Sequence, residues 1–427
     1  MRRSGIAARL HCVEPRQRVL PTLGPHSRTA AGVPGGAPLA PPGSMTTATP
    51  GAGLGLYVHV PFCEAKCAYC HFAIDPRRPD EARQERYLRA VVAEMEAAES
   101  GRADTLYFGG GTPSLLAASR LARLVGLARS RFFLPDGAEV TLEANPADLD
   151  LAGYRALRQA GSTRLSLGVQ SFDDAVLGEM GRRHSAADAF RAVEHARTAG
   201  FASVSLDLIL GWPGETGPRW ERSLDGVAAL GPDHVSLYVL EVEGRTLLAH
   251  RARAGTLALP EDDLVADLYR RTAEALSALG LERYEISNFA RPGFESRHNA
   301  KYWADLPFLG FGMSAHSYRG RRRWWNVDSY GGYCRAIEEQ GAPAAVAGFR
   351  VLSPRERSQE ALFTGLRRRD GVDLDTFRGV YGVDVLGEYG DSLAAPFAAG
   401  LLETRGTWLR LTERGVLLSN EVFQAFV

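Results

Sequence analysis

The chain has 427 residues and its formal charges cancel, 50 Lys+Arg against 50 Asp+Glu. That length predicts two or three domains, and 45% hydrophobic with 23% charged residues is the composition of a globular protein. Zero net charge argues against a mainly electrostatic nucleic-acid or membrane-surface binder, no window approaches the ~18 uninterrupted apolar residues of a membrane span, and five cysteines make no disulfide scaffold.

Residues 1–44 differ from the rest, with seven prolines, six glycines and one acidic residue, Glu14. Such a segment reads as disordered. Three origins fit it: an acid-poor transit peptide, a disordered tail, or an upstream extension with the true start at Met45. The third draws on the basic residues. Only Lys66 and Lys301 are lysines and the other 48 are arginines, the mark of a GC-rich coding sequence. No secretory apolar core is present, so the expected location is cytoplasmic.

From residue 56 short apolar runs alternate with amphipathic stretches. Strands are predicted at Leu56–Val60, Thr105–Phe108, Glu139–Leu142, Arg164–Leu167, Ser203–Leu208 and His234–Tyr238. Helices are predicted at 81–98, 118–131, 151–160, 186–199 and 219–229. This alternation predicts an α/β fold on a parallel sheet, either doubly wound or a partial (β/α)6 barrel. Functional residues of such folds sit where strands run into βα loops. The unusual motifs fall there: Pro61-Phe62-Cys63 after strand one, Gly109-Gly110-Gly111-Thr112-Pro113 after strand two, Glu143 after strand three, Gly168-Val169-Gln170-Ser171 after strand four and Asp207 in strand five. One composite site at one rim is expected.

Cys63, Cys67 and Cys70 form C-x3-C-x2-C within eight residues. Thiolates this close suit one metal centre. Three are too few to fill a [4Fe–4S] cube, which leaves one iron open. The competing readings are a Cys3His zinc site using His59 or His71, and chance.

The triplet after a strand and ahead of GGGTP resembles the radical S-adenosylmethionine (SAM) superfamily over about residues 54–320. The resemblance implies a partial (β/α)6 radical SAM barrel whose open iron takes the amino and carboxylate groups of SAM. Within it, the chain is similar to the coproporphyrinogen-oxidase-like branch. That likeness implies SAM contacts by Tyr57, Gly110, Gly111, Thr112, Glu143, Gln170, Arg182 and Asp207. DLILGWPGET departs from the branch's pattern at Glu215, where glutamine is usual.

Two functions divide this branch. The oxygen-independent coproporphyrinogen III oxidases have a fourth cysteine where this chain has Phe72, and an N-terminal segment that residues 1–44 do not resemble. The string His298-Asn299-Ala300-Lys301-Tyr302-Trp303, with YEISNFA before it and GFGMSAHSY after it, resembles the HemW family of haem chaperones. This implies haem binding by His298 as iron ligand with Tyr302 and Trp303 as flat stacking faces, and transfer of the haem to an acceptor protein that the sequence does not name. A structural turn at His298 with Trp303 in the core is the plain alternative. An active radical SAM enzyme, decarboxylating porphyrinogen propionates oxidatively, is the alternative function.

Residues 321–352 read as a linker. From 353 to 427, helices at 354–368, 373–380 and 385–399, strands at Leu401–Thr404 and Trp408–Leu411, and a last helix Glu413–Phe426 read as a small winged-helix-like domain. Ten basic against eleven acidic residues over 350–427 argue against nucleic acid. The oxidase-like branch has a C-terminal domain of this kind. Cys12 and Cys334 have no partner pattern. A homodimer is compatible with the sequence but not specified by it.

Overall fold

The computed structural model describes residues 53–75, 77, 80–242, 244 and 246–426. The 1–44 segment, Met45 and Cys12 lie outside the described residues. Six parallel strands come first: β1 (Leu54–Val60), β2 (Ala103–Gly110), β3 (Glu139–Ala144), β4 (Arg164–Gln170), β5 (Ser203–Leu210) and β6 (His234–Val239). Between them run α1 (Glu81–Ala97), α2 (Ala118–Phe132), α3 (Leu151–Gln159), α4 (Asp174–Met180), α5 (Ala186–Thr198) and α6 (Gly217–Leu230). The expected partial (β/α)6 barrel is present. Alternation along each strand divides the two faces. In β1, Leu56, Val58 and Val60 are fully buried, while Tyr57 stacks on Tyr107 of β2 at 6.1 Å between ring centroids.

The helices begin where the sequence caps them. Asp80 and Asp150 accept the N–H groups of Arg83 and Gly153, and Ser185 with Asp188 forms a capping box ahead of α5.

Beyond β6 lie α7 (Leu247–Arg253), α8 (Asp262–Ala278), β7 (Glu282–Arg283), β8 (Asn288–Ala290), α9 (Arg297–Trp303), β9 (Phe308–Phe311), β10 (His316–Arg319), β11 (Arg322–Asn326), α10 (Tyr330–Gln340) and β12 (Val346–Val351). All the strands named so far join one twelve-stranded sheet in the order β12-β11-β10-β9-β1-β2-β3-β4-β5-β6-β8-β7. The expected linker at 321–352 is therefore corrected. Arg321–Arg323 leads into β11, and β12 pairs antiparallel with it through Arg323↔Arg350 and Trp325↔Gly348. The strand was hidden because its half-exposed position tolerates arginines, and Arg323 spends its charge on Glu360 at 2.6 Å.

The C-terminal domain contains α11 (Pro354–Gly365), β13 (Val372–Asp373), α12 (Leu374–Tyr381), α13 (Val385–Ala398), β14 (Leu402–Arg405), β15 (Trp408–Leu411), α14 (Glu413–Leu417) and α15 (Ser419–Phe423). Its three-stranded sheet, ordered β13-β15-β14, completes the winged-helix-like form. The expected last helix is split into α14, α15 and a 3-10 turn at Gln424–Phe426. Arg357 pairs with Asp305 at 2.8 Å, and the Tyr381 hydroxyl donates to the same carboxylate. These bonds tie the domain to the barrel.

A buried carboxylate joins α1 to the far side of the sheet. Glu94 accepts from the Gly312 N–H (2.8 Å), the Tyr333 hydroxyl (2.6 Å) and the Asn326 amide (2.6 Å). Burial pushes its carboxyl up to about 7, from an ordinary 4.5, against the lowering effect of those bonds. Between these values the folded chain holds a proton that the unfolded chain has released. Stability from this group thus falls as pH rises from about 4.5 to about 7. Buried His184, His234 and His298, all shifted downward by burial, act in the opposite direction. The Glu94→Gln variant, compared with wild type by thermal unfolding at pH 5 and pH 7.5, should lose the destabilising component. Parallel pH dependences in the two proteins would refute the assignment.

Candidate active site at the strand ends

The chain leaves β1 through Pro61 and Phe62 and enters the cysteine loop, held against the glycine loop after β2. The N–H of Gly111 donates to Val60 O at 2.7 Å and that of Thr112 to Phe62 O at 2.8 Å. Both glycines are required by space. A Cβ on Gly110, whose φ is 107°, would come within 2.3 Å of the His59 ring, and one on Gly111 within 2.7 Å of the Phe62 carbonyl oxygen.

Cys63, Cys67 and Cys70 are not joined in disulfides, are half-buried, and all three line one cavity at the C-terminal ends of the strands. Cys63 Sγ lies 3.4 Å from Thr112 Oγ1. Burial pushes the Cys63 thiol up to about 11, and the charges of Cys70 and Cys67 add to this, so the three are electrostatic neighbours. The cavity's empty space, counted to its open mouth, is about 1610 Å³.

Polar groups at the other strand ends face the same space. Glu143 accepts from Tyr107 (2.8 Å) and from the Gly110 N–H (3.1 Å), so it fixes the glycine loop. Arg182 donates to Gly168 O at 2.6 Å and to Asn145 Oδ1, and lies 3.6 Å from Cys67 Sγ. It is embedded between the cysteine loop and β4. Gln170 has a φ of 66°, rare for a residue with a side chain, at an irregularity in the β4–β5 pairing. Asp207 accepts from Ser166 at 3.1 Å, and burial pushes its carboxyl up to about 6 against hydrogen bonds from Ser236 and Ser166. Glu215 stands apart from this lining, buried in the turn after β5, where its N–H donates to Trp212 O at 2.9 Å.

Gly110, Gly111, Thr112, Glu143, Gln170, Arg182 and Asp207 are thus lining residues together with the three cysteines. Tyr57 is not among them; it stacks behind Tyr107, with its hydroxyl 3.1 Å from His59 Nδ1. Sequence reasoning missed Tyr107, Asn145 and Asp148, all of which line the cavity. Tyr107 and Asn145 each stand two residues from a glycine or carboxylate already singled out, and so share its strand face.

His298, expected as a haem ligand, lies packed inside the protein and not in the lining of the strand-end cavity. Its imidazole is 1% exposed, with Nδ1 2.9 Å from Thr105 Oγ1 and Nε2 2.8 Å from the Tyr302 hydroxyl. Both ring nitrogens thus face hydroxyl groups of the protein. Thr105 is the third residue of β2, towards its N-terminal end and away from the cavity mouth, and the His298 ring lies 5.2 Å from that of Tyr107. Lys301 pairs there with Asp104 at 2.6 Å and donates to Gly53 O at 2.7 Å. Tyr302 sets its ring edge-on to Phe308 at 4.7 Å, and Arg367 of α11–β13 lies 4.4 Å over Trp303. Tyr302 is partly buried and Trp303 is buried. The plain reading, a structural motif with Trp303 in the core, describes this helix.

The cavity fits the group implied by the resemblance. Three thiols around one rim suit a cube that takes one thiolate at each of three separate irons. Among the described residues no three His, Cys, Asp or Glu converge as on a single ion. His59, one of the histidines considered for zinc, holds Tyr57 and the Ala73 carbonyl (2.7 Å) instead.

Comparison with known proteins agrees with this geometry. Residues 57–227 match the radical SAM superfamily, and residues 352–418 match the HemN C-terminal domain. The chain is 40% identical over 383 residues to "Heme chaperone HemW" of Mycobacterium tuberculosis, covering 88% of this chain and 96% of the relative. It is 38% identical to that of Bacillus subtilis, covering 87% and 98%. Among solved structures it resembles the Escherichia coli coproporphyrinogen III oxidase HemN, a radical SAM enzyme, with a TM-score of 0.77 and 25% identity over 88% of this chain and 91% of that one. The chain belongs to the HemW family of the radical SAM superfamily.

Proposed function

We propose that the chain is a cytoplasmic haem chaperone that binds a [4Fe–4S] cluster, SAM and haem, and passes the haem to an acceptor protein. The observation that carries this reading is the near-full-length identity to proteins named as haem chaperones. Cys63, Cys67 and Cys70 would hold the cluster, which supplies one iron open to the amino and carboxylate groups of SAM. The Gly110–Thr112 backbone admits the methionine end, since no side chain intervenes. Glu143 keeps that loop in place through the Gly110 N–H. Gln170, Arg182 and Asp207 offer an amide, a fixed cation and a carboxyl to the rest of the ligand.

The fold shared with HemN favours a second reading, an active coproporphyrinogen III oxidase. Phe72 argues against it, since it lines the cavity where the oxidases have a fourth cysteine. Two measurements separate the readings. Ferric haem titrated into the reconstituted protein should give a saturable Soret change. The same protein with dithionite, SAM and coproporphyrinogen III should form no protoporphyrinogen. Turnover to protoporphyrinogen, or a wild type that takes up no haem, would sink the chaperone reading.

A further inference from the structure

Asn145 is the first residue beyond β3, in an anchored loop. Its backbone N–H donates to Asp148 Oδ2 at 3.4 Å, and the Ser114 hydroxyl donates to the same oxygen at 2.7 Å. From there its side chain reaches two groups that touch different cysteines. Asn145 Oδ1 accepts from Arg182, which lies 3.6 Å from Cys67 Sγ. Asn145 Nδ2 lies 3.4 Å from Thr112 Oγ1, which lies 3.4 Å from Cys63 Sγ.

The direction of each bond in this chain follows from its charged end. A guanidinium can only donate. The amide oxygen of Asn145 therefore faces Arg182, and the amide nitrogen faces Thr112. That nitrogen also only donates, so the Thr112 oxygen accepts from it. A cysteine sulfur bound to iron carries no proton, so the hydrogen between Thr112 and Cys63 belongs to the hydroxyl. Arg182 is also held by Gly168 O at 2.6 Å, which keeps the guanidinium in place independently of the sulfur. One amide thus aims a cation at Cys67 and a hydroxyl at Cys63.

We infer that Asn145 is a positioning residue that raises the reduction potential of the cluster through these two donors. The inference rests on the cluster-binding part of the proposed function. Reduction adds one electron, and part of its charge falls on the thiolate sulfurs. Donors aimed at those sulfurs stabilise the reduced state, since hydrogen bonds to sulfur and net charge both set the potential of such clusters. Bonds in a chain polarise one another, so the amide strengthens the Thr112 donor as well as orienting it. Dithionite supplies the electron in the test; no proton moves and no covalent bond forms or breaks.

The test is a potentiometric titration with dithionite of full-length, cluster-reconstituted protein without SAM, with the reduced cluster counted by electron paramagnetic resonance. Asn145→Leu is close in size and cannot hydrogen-bond. It should lower the ratio of reduced to oxidised cluster at the wild-type midpoint by about tenfold, which is about 59 mV for one electron. Thr112→Val should shift the midpoint in the same direction, while Thr112→Ser, which keeps the hydroxyl, should stay at the wild-type value. Combined, Asn145→Leu and Thr112→Val should shift it by less than their sum, because they share one bond. Wild-type midpoints in Asn145→Leu and Thr112→Val, each with full iron and sulfide content, would overturn the inference and leave the cluster reading intact. Should Asn145→Leu assemble no cluster, the Thr112 pair decides: equal midpoints in Thr112→Val and Thr112→Ser would overturn it. A wild type that assembles no cluster would overturn both.

Discussion

Replacing Cys67 with alanine should abolish cluster assembly. Iron and acid-labile sulfide after anaerobic reconstitution should fall to background, and the brown absorbance should not appear. Three thiolates are the whole cysteine complement of the cavity, and removing one leaves two irons without protein ligands instead of one. The loss also removes one neighbour of a buried cation, since Arg182 lies 3.6 Å from the Cys67 sulfur. Cys334→Ala is the matched control. Cys334 is fully buried in α10, packed in the main core and remote from the cavity lining, so cluster content should be unchanged. Retained iron and sulfide in the Cys67 variant would refute the triplet as the cluster site.

His298→Ala should behave as a stability variant. It removes a fully buried ring together with its hydrogen bonds to Thr105 Oγ1 and the Tyr302 hydroxyl. Cavity formation at a large-to-small site costs about 2–5 kcal/mol, and an orphaned buried polar group about 1–3 kcal/mol. A loss of about 3 kcal/mol or more in denaturant unfolding is expected. The pH dependence gives a second signature. Burial, helped by the charge of Lys301, holds the imidazole down at about 3. The unfolded chain therefore gains a proton near pH 6.5 that the folded chain refuses, and stability from this group is lost as pH falls from 6.5 towards 3. His298→Ala should lack that component. At a temperature where it stays folded it should still bind haem saturably. Unchanged stability with abolished haem binding would restore His298 as the iron ligand.

The two residue strings that carry most family information thus differ in how much their sequence revealed. The cysteine triplet and the glycine loop are local signals, since their spacing constrains the backbone directly, and both face one cavity. HNAKYW was equally recognisable as a string. Its direction was not, because a seven-residue helix can turn the same imidazole outward or into a barrel, and only tertiary partners such as Thr105 and Asp104 decide. The six strand–helix units were legible from periodicity, with bounds within a few residues. The strands β7–β12 were not. They are two to six residues long, and β11 carries arginines that pair outward, so no apolar alternation marks them. Tyr107, Asn145 and Asp148 went unread because a tyrosine in a strand or an acid in a loop has common structural uses until its neighbours are known.

The left-handed backbone at Gln170 has a consequence of its own. A residue with a Cβ costs roughly 1–2 kcal/mol more than glycine in that region. A Cβ on Gly168, two residues earlier, would lie 2.9 Å from the Gln170 amide nitrogen, so the side chain occupies space that only a glycine leaves free. The amide is therefore aimed by the backbone and by the packing around it, before any ligand arrives. A ligand taken up at this corner of the cavity would meet a preorganised group: the conformational cost is met when the chain folds and need not be met again on binding.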